Sequence, residues 1–373
     1  MTTKNQRPHI VIDARLYGPK NTGIGRYTKN LLLGLTKQAN FKDYTFTLIL
    51  QKDSLEEARK DLGGNFNYHP VNITHYSLKE QFLLPLVLLK LKPDLVHFTH
   101  LNKPIFYFKN SVVTIHDLIK HLSTGKDTTT KNQAIYWAKH YAYLLTTYVA
   151  IKSSTIIVPS NYWRDYLIKN YQVKPRNITT THEAVDPSFL KLKAKTIKNP
   201  QNYIVYTGNL YPHKNIQVIL LALKKLPDLK LKIICARSVF TQRIEKLIQK
   251  NKLESQVEFL GFVPDADFPK IYSHSLALVH PSFLEGFSLT GLEAMSLNTP
   301  VISSNSSCLP EIYQDSVLYF DPNKASELID VIKNLKENPK IRTELIERGQ
   351  QQVKKYDWKK TAKKTINVYQ SNR

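Results

Sequence analysis

Cysteine is nearly missing from this 373-residue chain: Cys235 and Cys308 are the only two. That excludes a disulfide framework and any Cys-rich zinc site. Long hydrophobic runs are missing as well. The longest, Phe82 to Leu91, is interrupted by Lys90 and is too short to span a bilayer. The polar start Met1-Thr-Thr-Lys-Asn5 has no apolar segment of the kind that secretion signals carry, so a cytoplasmic chain is expected. There is no internal repeat of solenoid period and no low-complexity segment. Acidic residues are in short supply, 30 against 53 Lys and Arg, for a formal net charge of +23. Residues 1–200 hold 29 basic and 13 acidic groups, a net of +16, and the remainder 24 and 17, a net of +7. With Lys the main cation and no DNA- or RNA-binding signature present, nucleic acid is not expected as a partner. An anionic membrane surface and a Lys-rich composition without function both remain as readings of the excess.

Hydrophobic residues at 42% and charged ones at 22% are enough to bury sizeable cores, and the length suits two domains. Strand-like and helix-like runs alternate, as in parallel sheets with crossover helices. In the first half the strands are His9–Asp13, Thr45–Leu50, Asp94–Phe98, Val112–His116 and Thr155–Val158, with helices over Gly25–Leu35 and Ala134–Val149. After Asp186, a basic, proline-bounded stretch from Pro187 to Pro200 reads as a linker. The pattern restarts with strand Tyr203–Thr207, helix Asn215–Leu226 and strand Leu231–Cys235. It continues through Val257–Phe262, Leu276–His280, Val301–Ser303, Val317–Phe320 and the helix Ala325–Leu335. The expectation is two open α/β domains, 1–186 and 201–356, joined by 187–200 and facing one cleft, with 357–373 an amphipathic helix. Ligands of such sheets sit beyond the carboxyl ends of the strands.

The most informative stretch is Pro281-Ser-Phe-Leu-Glu285-Gly-Phe-Ser-Leu-Thr-Gly-Leu-Glu293. It follows a strand and runs into a helix expected to begin near Thr290. Glu285 then lies in the loop and Glu293 about one turn inside the helix, with Gly286, Ser288 and Gly291 small enough for close backbone approach. A helix N-terminus suits a diphosphate, and a carboxylate beside it can accept hydrogen bonds from sugar hydroxyls. Two other features have ordinary readings. Asp265-Ala-Asp267 has an Asp-x-Asp form, but at a helix start such residues serve capping and the dipole, so no metal is expected. The aromatic run Tyr136–Tyr148 is either core packing or an interfacial helix.

Glu-(seven residues)-Glu in the context EGFSLTGLEAM resembles the signature of glycosyltransferase family 4, retaining enzymes of the GT-B fold with two Rossmann-like α/β domains. Asp13-Ala-Arg15, Thr22-Gly-Ile-Gly-Arg26-Tyr27, Ser77-Leu-Lys-Glu-Gln81, Thr114-Ile-His116-Asp117, His182-Glu-Ala-Val-Asp186 and Tyr206-Thr-Gly208-Asn-Leu-Tyr-Pro-His213-Lys214-Asn215 are similar to further segments of that family, in order. The resemblance implies that Lys214 and the amides of Phe287, Ser288 and Leu289 hold the donor diphosphate, beside Gly208, Asn209 and Gly286. It implies that Glu293 takes the ribose hydroxyls and Glu285 the transferred sugar. His116 would reach that sugar from the first domain, where Gly23 and Gly25 would admit the sugar-phosphate. By their residues alone, His116 reads first as a structural histidine, and Gly23-Ile-Gly25 can be read as only a turn. Relatives often carry an Arg near the phosphate-binding Lys; here Asn209 and His213 stand in that loop, and Arg15 and Arg26 are candidates for the charge.

The function implied is transfer of a hexose, mannose from GDP-mannose, to a glycan or lipid-linked acceptor in polysaccharide assembly. The nucleotide-sugar is then a co-substrate, with no cofactor and no metal. UDP-glucose or another hexose donor, an epimerase of the same fold and a non-catalytic scaffold are the alternatives. The family's C-terminal helix returns to the first domain. A basic first domain fits peripheral contact with an anionic inner leaflet.

Overall fold

The computed structural model describes residues 7–122, 132–236 and 238–372; the polar stretch Met1–Asn5 lies outside them. The described residues form two compact units: those up to Glu183 together with those from Asp357 onward, and those from Ala184 to Tyr356.

The first unit carries a seven-stranded, wholly parallel sheet. Its strands are β1 (His9–Asp13), β2 (Thr45–Gln51), β3 (Asn67–Val71), β4 (Leu95–Phe98), β5 (Ser111–Thr114), β6 (Thr155–Val158) and β7 (Ile178–Thr180). Their order is β3-β2-β1-β4-β5-β6-β7. Helices α1 (Thr22–Leu35), α2 (Leu55–Leu62), α3 (Leu78–Leu91), α4 (Gln133–Lys152) and α5 (Asn161–Tyr171) supply the crossovers. The central strands are buried on both faces, and β1, β4, β5 and β6 accordingly read as short continuous apolar runs. Two strands lie beyond the sequence reading, β3 and β7. Both sit at sheet edges, where β3 is half-exposed and a proline such as Pro70 is tolerated.

The second unit repeats the plan with six parallel strands. They are β8 (Tyr203–Thr207), β9 (Lys230–Ile234), β10 (Val257–Gly261), β11 (Ala277–His280), β12 (Val301–Ser304) and β13 (Leu318–Phe320), in the order β10-β9-β8-β11-β12-β13. Its helices are α6 (Pro187–Leu190), α7 (Ile216–Leu223), α8 (Val239–Lys250), α9 (Phe268–Ser273), α10 (Leu289–Ser296), α11 (Leu309–Tyr313), α12 (Ala325–Glu337) and α13 (Pro339–Lys354). Leu328, Ile332 and Leu335 of α12 share one core with Ile219, Leu223 and the strands. Residues 187–200, expected as a linker, belong at least in part to this unit. Asp186 caps α6 by accepting from the Ser188 amide at 2.8 Å, Phe189 is buried against Phe268, and Asn298 donates to the Ala194 carbonyl at 2.9 Å. An apolar anchor inside a polar stretch overrode the compositional signal.

A final helix, α14 (Trp358–Ser371), packs with the first unit. It lies so close to α1 that a Cβ on Gly34 would sit 2.8 Å from the Trp358 carbonyl. The Tyr369 hydroxyl meets His97 Nδ1 of β4 at 2.6 Å, while His97 Nε2 meets the Thr114 hydroxyl at 2.9 Å. Burial pushes His97 down to about 3, so the ring is neutral.

Strand order reverses between β1 and β4 in one sheet and between β8 and β11 in the other. Loops leaving a reversal point diverge to opposite faces and open a crevice at the carboxyl ends. Each unit therefore has one preferred place for a ligand.

Candidate functional site

In the second unit that place is between the loop after β8 and the loop after β11. Strand β8 ends at Thr207, and Gly208 follows with φ +142, a conformation open to glycine and strained for other residues. The Asn209 side chain accepts from the Tyr211 amide at 3.3 Å, and a short turn, Pro212–Lys214, leads to Asn215 in the left-handed region. Asn215 ties the two loops together: its amide donates to the carbonyls of Pro281 at 3.2 Å and Pro322 at 2.8 Å. The Phe283 amide adds a bond to the His213 carbonyl at 2.8 Å. This lacing aims Lys214 at the second loop.

There Lys214 Nζ donates to both oxygens of Glu285, each at 2.7 Å. His280, the last residue of β11, donates from Nε2 to Glu285 Oε1 at 2.8 Å. Its Nδ1 faces the hydroxyls of Tyr313 at 2.9 Å and Ser288 at 3.0 Å. Burial alone would raise the Glu285 carboxyl, but the Lys214 charge and the His280 hydrogen bond outweigh it and hold it well below the usual carboxylate range. Glu285 is ionised at any working pH.

Ser288 opens α10 at φ +83, a strained position for a residue with a side chain, costing about 1–2 kcal/mol. What holds it is Tyr313, whose hydroxyl reaches the Ser288 carbonyl at 3.1 Å, the Ser288 hydroxyl at 2.8 Å and the Gly291 amide at 3.1 Å. A Cβ on Gly291 would lie 2.3 Å from that same hydroxyl, so the glycine is there for Tyr313. The amides of Ser288, Leu289 and Thr290 are the first-turn donors that a helix leaves without intrahelical partners. The Gly291 amide is already taken by Tyr313. Helix α10 starts at Leu289, one residue before the expected Thr290. Glu293 lies inside it, half-buried, and its charge adds to the burial that raises the Tyr272 hydroxyl, itself bonded to Thr207 at 2.8 Å.

Gly208, Asn209, Lys214, the run Glu285–Leu289 and Glu293 thus gather at the carboxyl end of one sheet. The sequence reading missed His280, Ser307, Cys308 and Tyr313. Ser307 accepts from the Glu285 amide at 3.1 Å, and the Cys308 thiol donates to the Glu285 carbonyl at 3.3 Å. His280 had a visible signal, a polar residue closing an apolar strand just before the loop. The other three come from a later segment, about twenty residues on, with no pattern of their own.

Gly23, Gly25 and His116 belong to the first unit. Gly23 and Gly25 lie inside the first turn of α1 rather than in a loop. Gly23 has open space around its missing side chain, as an approach site requires. Gly25 does not: a Cβ there would fall 1.9 Å from the Gly18 carbonyl, so its bareness serves the chain's own packing. His116 donates from Nε2 to the Thr99 carbonyl at 3.0 Å and points Nδ1 at the Glu183 carboxylate at 3.1 Å. Two acceptors call for a doubly protonated ring. Burial lowers its pKa, but the Glu183 hydrogen bond and charge more than reverse that, and the net direction is up. Both nitrogens are engaged within the unit, which is the structural reading of this residue.

Arg15 does not replace the cation missing near Lys214. It is buried, donating to Asp13 at 2.7 and 2.8 Å and to Glu80 at 2.6 Å. Asp265 and Asp267 form the turn before α9, but Asp267 makes no side-chain capping bond; the expected cap is absent there.

Residues 21–189 match the family model described as Glycosyltransferase Family 4, and residues 189–352 that described as Glycosyl transferases group 1. The chain is 27% identical to O-antigen chain mannosyltransferase B of Escherichia coli, over 93% of this chain and 96% of that one. It is 28% identical to O-antigen chain mannosyltransferase RfbU of Salmonella typhimurium, over 71% and 70%. Among solved structures, a glycosyltransferase from Rickettsia africae shares the fold with a TM-score of 0.71 at 17% identity, over 98% of both chains.

Proposed function

The chain belongs to glycosyltransferase family 4 and has the GT-B fold, and on that premise we propose that it moves mannose from GDP-mannose onto a glycan or lipid-linked saccharide, with retention and without a metal. The observation that carries this reading is the Lys214–Glu285 pair at 2.7 Å beside the first turn of α10. It sets a cation, an ionised carboxylate and the backbone donors of a helix start together at a strand-order reversal.

Departure of a nucleoside diphosphate from an anomeric carbon builds negative charge on the leaving oxygens. Preorganised donors and a cation are what stabilise it. Lys214 and the amides of Phe287, Ser288 and Leu289 would face the diphosphate. Glu293 would take the ribose hydroxyls, and Glu285 the hydroxyls of the sugar near the reacting carbon. Glu285 is clamped by three hydrogen bonds from Lys214 and His280, which makes it a poor nucleophile and a good orienting group. Front-face attack, with the leaving phosphate taking the acceptor's proton, uses no protein nucleophile and agrees with that clamping. The basic first unit, at an anionic inner leaflet, would receive a lipid-carried acceptor. Similarity to two O-antigen mannosyltransferases supports mannose.

The test is a thermal-shift panel of GDP, UDP, ADP and dTDP on the protein and on Lys214→Ala. A ligand at about a hundred times its dissociation constant adds roughly 2.7 kcal/mol of apparent stability. A shift with GDP in the parent and none in the variant supports the reading. A shift with UDP alone moves the donor to a UDP-hexose, and no shift with any nucleotide favours a scaffold. Nuclear magnetic resonance of the product made from GDP-mannose then reads the anomeric configuration.

A further inference from the structure

The large exposed apolar side chains are concentrated on the first unit. Helix α3 turns Glu80, Leu84, Pro85 and Leu88 inward. It leaves Leu78, Phe82, Leu86 and Leu89 to solvent, with exposures of 80, 58, 54 and 46%. Steps of four, four and three residues put all four on one helix face. The stripe continues onto the loop after β4, where Phe106 stacks on Phe82 at 5.2 Å and Phe108 is 78% exposed. Against the same helix, Leu83, Leu86, Val87 and Lys90 join His69–Ile73 around an open groove of about 420 Å³. Helix α4 repeats the spacing with exposed Trp137, Tyr141, Leu145 and Tyr148. Lys120 links the two regions, its ammonium 4.9 Å from the Tyr76 ring centre and 5.6 Å from that of Tyr143.

An apolar face of this extent marks an interaction surface, and the neighbouring charges select its occupant. Lys79 and Lys90 of α3, Lys92 just after it, Lys109 beside Phe108, Lys120, and Lys139 and Lys152 of α4 are all exposed. Helix α4 contains no acidic residue, and the only one in α3, Glu80, is buried on Arg15. A second copy would bring the same cations against these. A nucleic acid would satisfy the lysines but not a stripe of leucines. An anionic bilayer satisfies both: Leu and Phe enter the acyl boundary, Trp and Tyr sit at headgroup level, and Lys meets phosphate. Among the described residues no helix is long and apolar enough to cross a membrane, so the contact is with the surface.

We propose that the outward face of α3, extended by Phe106 and Phe108 and flanked by α4, docks the first unit on an anionic lipid bilayer. This gives the membrane part of the preceding reading its surface and rests on that part alone, not on the identity of the donor. The stripe begins beside Tyr76, whose hydroxyl lies 3.3 Å from His100 at the carboxyl end of the sheet. A lipid-carried head group would arrive where such a sheet binds ligands.

The experiment is co-sedimentation of the whole chain with phosphatidylcholine vesicles, with and without about 30% phosphatidylglycerol. The parent protein is expected to bind the anionic vesicles at least about tenfold better, and less so as salt rises. Phe82→Glu with Leu86→Glu, and separately Lys79→Glu with Lys90→Glu, should each lose about tenfold or more, all four positions being solvent-exposed. Equal binding to both vesicle types, or full binding by both double variants, overturns the proposal. So does a dimer in sedimentation velocity that Phe82→Glu with Leu86→Glu dissolves while vesicles go unbound, since the face then belongs to a second copy. The nucleotide-induced thermal shift of each variant is read in parallel. It stays unchanged if only the docking surface is touched, and its absence in the parent is the failure of the donor reading instead.

Discussion

Glu285→Gln separates holding the donor from transferring its sugar. The substitution keeps the shape of the side chain and removes the charge that Lys214 meets at 2.7 Å on both oxygens. Removing one member of a buried pair costs about 3–5 kcal/mol, and the Lys214 side chain, one-fifth exposed, recovers part of its hydration, so about 2–3 kcal/mol is expected. For a unit of this size that is a fall in Tm of about 5–10 °C. The freed ammonium can then turn wholly to the diphosphate. Nucleotide affinity should hold or rise, while turnover falls by about 10²–10³-fold, the scale of losing one group aimed at the reacting centre. Lys214→Ala should do the opposite first, losing nucleotide binding. The pH dependence has a fixed sign. Because the Glu285 pKa is depressed in the folded state, its stabilisation is complete above the unfolded value of about 4.3 and declines as pH falls below it. The Tm gap between parent and Glu285→Gln should therefore be constant at neutral pH and narrow on the acid side. Scanning calorimetry with isothermal titration of GDP reads all of this. If nucleotide affinity collapses in Glu285→Gln while Lys214→Ala still binds, the roles argued for the pair are wrong.

Three further substitutions test the packing arguments. Gly25→Ala must displace the Gly18 carbonyl, 1.9 Å from the new Cβ, and should cost about 3 kcal/mol. Gly23→Ala, with open space around it, should leave Tm level or raise it slightly, and any loss of turnover there would mark a ligand approach. His116 is raised by Glu183, so its stabilisation is complete below about pH 6.5 and fades as pH rises above that. Glu183→Gln should flatten that slope in a pH series of melting curves. Arg342 is buried with Nε and Nη2 lacking partners among the described residues, and burial pushes it down to about 10. Arg342→Met, which removes a cation that no carboxylate among the described residues offsets, should be neutral or stabilising by about 1–2 kcal/mol in chemical denaturation; a loss of several kcal/mol would mean that its bond to the Leu276 carbonyl matters more than its charge.

What the sequence by itself determined was whatever is local. The buried strands were legible as short apolar runs between turn residues, and the loop after β11 announced a site because small residues and two carboxylates follow a strand within one segment. Glu285 and Glu293 were placed correctly on loop and helix for that reason. Edge strands β3 and β7 escaped notice because their residues, Asn-Tyr-His-Pro-Val and Ile-Thr-Thr, form no apolar run. What only the tertiary structure decided were relations between segments far apart in the chain. Lys214 is fixed on Glu285 by the Asn215 and Phe283 bonds between two loops, and Tyr313, twenty-five residues beyond Ser288, holds the strained start of α10. The meaning of a residue changed in the same way. Gly25 became a packing residue, because Gly18 fills the space its side chain would occupy. Arg15 became a buried partner of Asp13 and Glu80, and the Phe82–Leu91 run became a helix with an apolar outer face. A residue type fixes the chemistry on offer at its position. Which neighbours consume that chemistry, and which parts of it reach solvent, is settled only when distant segments pack together.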